Sequence, residues 1–158
     1  MKTLLIYSTF VMLFLMAACS TTKTATETIG EVTRKVESKD ITVTVHYTNP
    51  LRMKQVMLTS EYDLRIKNDS AFAYLPYFGV AYSAPYGSSE GGIKFAETVN
   101  DYVITPNKKL NGWDIRFKIR SKEDVYEIFM NIFNNGSASF SVTSQKRDMI
   151  SFSGEVKH

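Results

Sequence analysis

Trp113-Asp114-Ile115-Arg116-Phe117-Lys118-Ile119-Arg120 is the stretch that decides the fold. Its apolar residues, Trp113, Ile115, Phe117 and Ile119, recur with a period of two, and a charged residue fills every place between them. A strand sends such residues to opposite faces, one against a core and one into water. The same period returns on both sides. Upstream, Ile41, Val43, Val45 and Tyr47 alternate with Thr42, Thr44, His46 and Thr48 until Asn49-Pro50. Tyr62, Leu64 and Ile66 alternate with Glu61, Asp63, Arg65 and Lys67, and Asn68-Asp69-Ser70 turns the chain back through 71–75. Residues 93–97 and 102–105 read as two short strands around Asn100-Asp101. Downstream, Tyr126, Ile128, Met130 and Ile132 share one face, but Val125, Phe129 and Phe133 make the other apolar too, so 125–133 reads as a buried strand or a short helix. Asn134-Asn135-Gly136 is a hairpin signal, Ala138, Phe140 and Val142 alternate with serines, and 149–156 is a final strand.

This pattern predicts an all-β domain, an antiparallel meander of about eight or nine strands with short connections. Such a meander closes as a barrel or folds over as a sandwich, and the expected form is a barrel or half-open barrel. One short N-terminal helix precedes it. Ile29, Val32 and Val36 fall at i, i+3 and i+7 within 27–40, on one helical face.

The chain has 158 residues, 44% apolar and 22% charged, enough for one domain with its own core after a processed leader. The formal charge of +3 is small and its cations are interspersed with acids, so nothing marks a nucleic-acid footprint. The single cysteine, Cys19, excludes an internal disulfide framework and a cysteine-based zinc site. His46 is the only histidine besides the terminal His158, so no histidine-rich metal centre and no cofactor is expected.

Between the strands lies 75–95, Leu75-Pro76-Tyr77-Phe78-Gly79-Val80-Ala81-Tyr82-Ser83-Ala84-Pro85-Tyr86-Gly87-Ser88-Ser89-Glu90-Gly91-Gly92-Ile93-Lys94-Phe95. Proline and glycine shape it as an irregular connection that carries aromatic rings. Tyr74, Tyr77, Phe78, Tyr82, Tyr86 and Trp113 are the candidate contact residues. They line a barrel mouth that holds one small or lipidic ligand, or they plug that mouth and complete the core. An outward-facing set would instead suit a protein partner.

Residues 1–18 form a leader. Lys2 is its positive region, 4–15 its apolar region, and that run is too short to span a bilayer comfortably. Met16-Ala17-Ala18-Cys19 resembles the lipobox of bacterial lipoproteins, although Met16 replaces the usual leucine. The resemblance implies cleavage before Cys19 and acylation of its thiol, with palmitate-type chains holding the domain to a membrane. Residues 19–26 then read as a flexible tether and 27–158 as the domain. Ser20-Thr21-Thr22-Lys23 lacks an acidic cluster, so the periplasmic side of the outer membrane is expected, with the cell surface as the alternative.

Several stretches resemble one family. Leu75-Pro76-Tyr77-Phe78-Gly79, Ala81-Tyr82, Ala84-Pro85-Tyr86 and Gly92-Ile93-Lys94-Phe95 are similar to the signature of domain of unknown function 4251, found in lipoproteins of the Bacteroides group. Leu58-Thr59-Ser60-Glu61-Tyr62-Asp63-Leu64, Trp113-Asp114-Ile115, Gly136-Ser137-Ala138 and Ile150-Ser151-Phe152-Ser153-Gly154 fit as well. The resemblance covers about 27–157. Members often carry arginine after the loop glycine; Val80 stands there in this chain. The resemblance implies a lipocalin-like all-β barrel and no established activity.

Enzyme chemistry finds little support in the residues. His46 sits on the polar face of a strand, and Asp63, Glu90, Glu97, Asp101 and Asp114 are scattered acids of the kind any domain offers. Gly91-Gly92 beside Ser88-Ser89 lacks the Lys-Ser/Thr and the helix of a phosphate-binding loop. A non-enzymatic, lipid-anchored envelope protein is the expectation, binding a small or lipidic ligand or, alternatively, a protein partner. The oligomeric state is unassigned.

Overall fold

The structure, a computed structural model, describes residues 25–82, 91–122 and 124–157. Helix α1 (Ala25–Glu37) leads into β1 (Asp40–Pro50), β2 (Val56–Lys67), β3 (Ser70–Leu75), β4 (Ile93–Asn107), β5 (Gly112–Arg120), β6 (Val125–Phe133), β7 (Ser137–Ser144) and β8 (Ile150–Val156). Each strand pairs antiparallel with the next, and β1 pairs with β8, so the sheet closes. The meander is therefore a closed barrel of eight strands. The ninth strand of the sequence reading disappears because 93–97 and 102–105 are two halves of β4. Asp101, at φ 54°, sits in a bulge that bends the strand without ending it. Residues 125–133 are strand, and their outer apolar side chain Phe129 is covered by the Arg116 guanidinium, 4.9 Å from the ring centroid.

A second bulge sits in β1. Val45 pairs with Gly154 and Tyr47 with Ser153, which leaves His46 as the extra residue against β8. On its other side, His46 faces four residues of β2, 58–61. One added residue reverses the alternation: Val45 is buried, Tyr47 is exposed, and Thr48 turns inward, donating its hydroxyl to the Ser151 carbonyl at 3.3 Å.

The inward faces fill the barrel. Ile41, Val43, Leu64, Ile66, Ile115, Ile119, Ile128 and Met130 are buried, and aromatic rings bridge strands at Phe140–Phe152 (5.1 Å) and Phe95–Tyr126 (5.6 Å). Small barrels of eight strands leave room for side chains alone when those side chains are large. Two tight turns match their sequences. Asn68 takes φ 54° between Lys67 and Ser70, and Gly136 takes φ 88° after Asn134-Asn135.

Strand directions define two ends. The joint between α1 and β1 shares one end with the β2–β3, β4–β5 and β6–β7 turns. Helix α1 lies over this end: Val32 and Val36 are buried against the core, and Asn68 N donates to the Lys39 carbonyl. The helix starts at Ala25, two residues inside the expected tether, and stops before Lys39, whose φ of 52° turns the chain into β1. The leader and the tether from 19 to 24 lie outside the described residues.

Candidate functional site

The other end carries the β1–β2, β3–β4, β5–β6 and β7–β8 connections. After Leu75 the chain crosses the mouth to the far wall. Ala81 bridges to Arg147, Tyr82 N donates to the Lys146 carbonyl at 2.8 Å, and Asp148 N donates to the Val80 carbonyl at 3.0 Å. The strap 76–82 is thus pinned to the β7–β8 connection, four strands away around the barrel.

Side chains complete the pin. Tyr77 packs against the core and donates its hydroxyl to the Val80 carbonyl at 2.8 Å, with the Asp148 carbonyl at 3.2 Å as a second acceptor. The Arg147 guanidinium lies 5.2 Å from the Tyr77 ring centroid, and its Nη1 donates to the carbonyls of Gly91 (3.2 Å) and Gly92 (3.0 Å). Arg147 and Asp148 are both buried, at 8% and 7% exposure, a placement charged side chains hold only with partners. The Asp148 carboxylate accepts the Tyr82 hydroxyl on Oδ1 and pairs through Oδ2 with Arg52 Nε at 3.0 Å, so the β1–β2 connection joins the same cluster. Burial and then the Asp148 charge raise the Tyr77 pKa above its ordinary value. The hydrogen bond to Asp148 does the same for Tyr82.

Around this cluster the surface is apolar and basic. Leu51 (58% exposed), Met53 (57%), Met57 (67%), Val80, Tyr82 and Met149 all stand out from this end. The exposed charged residues of its described connections, Arg52, Lys54, Lys122 and Lys146, are all cationic, while the acids Asp124 and Asp148 are turned inward. Asp124 accepts from its own Val125 N–H at 2.8 Å and from the Ser144 hydroxyl.

The six sequence candidates do not share one mouth. Tyr77, Phe78 and Tyr82 belong to the strap; Phe78 is half-buried and Tyr82 is 63% exposed. Tyr74 points outward from β3, where it meets the Tyr62 ring at 5.4 Å and the Lys94 ammonium at 4.7 Å. It lines a groove of about 570 Å³ on the barrel wall with Thr44, Glu61, Asp63, Arg65 and Lys157. Trp113 opens β5 at the helix-covered end, packed on the core beside Pro106 and Thr33. Tyr86 and Cys19 lie outside the described residues. The acids are equally dispersed. Asp63 pairs with Arg65 at 2.9 Å and Asp101 with Lys118 at 3.5 Å. Asp114 accepts from Asn131 at 2.7 Å and from Asn107, so it serves the β4–β5 turn; Glu97 is on β4, and Glu90 is outside the described residues. His46 faces solvent at its bulge. Sequence reasoning missed Arg52, Arg147 and Asp148, which belong to no motif or periodic pattern in the chain.

An eight-stranded up-and-down barrel with a helix over one end and a strap over the other defines the class: a small antiparallel barrel with a filled interior. The chain belongs to the family described as domain of unknown function (DUF4251), whose profile matches residues 23–156. A crystal structure of a DUF4251 family protein from Bacteroides eggerthii DSM 20697 has the same fold, with a TM-score of 0.65 over 82% of this chain and 86% of that one at 15% identity. No curated protein matches the sequence.

Proposed function

We propose that this chain is a non-enzymatic, lipid-anchored protein of the bacterial envelope that works by contact, through the strapped end of its barrel. The observation that carries this reading is the filled interior. Large side chains occupy the bore, Tyr77 is pinned down over its mouth, and the unsatisfied apolar surface gathers outside, on the surrounding connections. A barrel that encloses a ligand keeps its mouth open and its bore partly empty. Here the aromatic strap completes the core, and the exposed residue types, Met, Tyr, Leu and Arg, are those of contact surfaces.

The anchor fits this arrangement. Five residues separate Cys19 from Ala25, a reach of at most about 20 Å, and α1 lies at the end opposite the strap. An acylated Cys19 therefore leaves the strapped end facing away from the bilayer, on the periplasmic side of the outer membrane. The test is twofold. Labelling with an alkyne-bearing palmitate must tag the full chain and fail for Cys19→Ala. A photocrosslinker replacing Met53 or Tyr82 must trap a partner in intact envelopes, whereas one replacing Val103, exposed on the wall, must not. Crosslinking that is equal at all three positions, or absent at all three, sinks the contact reading.

A further inference from the structure

We infer that Arg52 is the anchor of this contact surface and that the partner is a protein presenting an acidic, partly apolar face; the inference rests on the contact reading above. Arg52 differs from the other exposed cations. Its side chain is 65% exposed, yet its Nε is held at 3.0 Å by an Asp148 carboxylate that is itself only 5% exposed. That carboxylate is fixed from behind by the Tyr82 hydroxyl, and its backbone N–H is bonded to the Val80 carbonyl on the strap. Arg52 Nε and Asp148 Oδ2 stand 3.0 Å apart as an ion pair that completes no hydrogen bond. The pairing holds one edge of a guanidinium that has five donors in a rigid plane, so N–H groups remain for a second carboxylate.

The surroundings fix the kind of partner. Leu51 and Met53 flank Arg52 on the same connection, each more than half exposed, and Met57 follows at the start of β2. Apolar, flexible side chains around a central arginine are the composition of protein contact surfaces, where arginine, methionine and tyrosine are enriched. Lys54 on the same connection and Lys122 across the mouth are exposed cations of this end, and no described acid at this end faces out. Complementarity then requires a negative partner. A phospholipid surface would satisfy the charge, but under the anchoring proposed above this end faces away from the bilayer.

The experiment uses the full chain in its native envelope, with the crosslinker in place of Met53, compared in the wild-type background, in Arg52→Glu and in Arg52→Lys. The expected result is a crosslink to one protein through a segment rich in Asp and Glu. Arg52→Glu reduces its yield at least tenfold, Arg52→Lys gives an intermediate loss, and an Asp or Glu to Lys change in the identified segment restores the yield to Arg52→Glu. Circular dichroism of each variant separates misfolding from lost contact. A protein crosslink insensitive to Arg52→Glu, or one through a neutral or basic segment, overturns the inference and leaves the contact reading standing. Capture of lipid or glycan instead of protein also overturns it. The absence of any crosslink from position 53 or 82 removes both readings together.

Discussion

The guanidinium of Arg147 stacks over the ring of Tyr77, 5.2 Å from its centroid, and joins residues 70 positions apart across the mouth of the barrel. The same side chain ties down Gly91 and Gly92, where the chain returns to β4. One buried cation therefore fastens both flanks of the longest connection. Arg147→Ala removes a cation–π contact and two charge-assisted hydrogen bonds, and the expected loss is about 2–3 kcal/mol. Urea denaturation measures it. A loss below about 0.5 kcal/mol would mean that the strap holds without this side chain.

Asp148 sets the ionisation of the two strap tyrosines. Its carboxylate raises the Tyr82 pKa through the hydrogen bond it accepts and the Tyr77 pKa through its charge, after burial. Asp148→Asn should bring both tyrosines down. Spectrophotometric titration near 295 nm should then show two tyrosines ionising at lower pH than in the wild type. An unchanged curve would contradict the contacts described here.

Tyr102 carries a different burden. Its ring packs on Phe117 at 5.9 Å under the Lys39 ammonium, and its hydroxyl is buried with no hydrogen-bond partner among the described residues. Burial pushes its pKa up to about 12. The native state thus keeps a proton that the unfolded chain releases near pH 10, so native stability falls as pH rises from about 10 to about 12. Below pH 10 this contribution is fully present. Tyr102→Phe should flatten that part of the stability curve and, by removing an unbonded buried hydroxyl, stabilise the protein at neutral pH by up to about 1 kcal/mol. Thermal melts from pH 8 to pH 12 on both proteins test the slope.

Gly154 is where β8 passes β1 at its bulge. A Cβ there would meet the Thr44 carbonyl oxygen at 1.9 Å, a backbone atom that cannot rotate away. Gly154→Ala should cost about 3 kcal/mol or more by prising open the seam that closes the barrel. Hydrogen exchange should report faster exchange first along β1 and β8. Uniform behaviour across the sheet would show that the seam had adapted.

The strands were legible in the sequence because each buries one face, and a period of two records that burial directly. Trp113 to Arg120 is the plainest case, and its inward Ile115, Phe117 and Ile119 are all buried. The bulges at His46 and Asp101 were not legible. Each depends on register against neighbouring strands, and register leaves no mark within a strand's own residues. The inversion that buries Thr48 and exposes Tyr47 follows from the first bulge, and the second hid the unity of β4. Ring-bearing residues gave an incomplete account of the site. Tyr77 and Tyr82 take their places from Arg147 and Asp148, charges that only the fold brings to the strap. Trp113 shares their composition but starts its strand at the opposite end.

Closure of β1 on β8 also sets a condition on manufacture. Val43 finds its partner in Val156, so the first strand waits with one side bare until the last residues of the domain have been delivered. Pairing across such a separation is slow, so the closing of the seam comes late in folding. A product truncated within the last strand would keep two raw edges, the kind of surface that invites aggregation and proteolysis. The seam thus works as a proofreading step on the domain: only a chain that carries β8 intact can hide the free edge of β1.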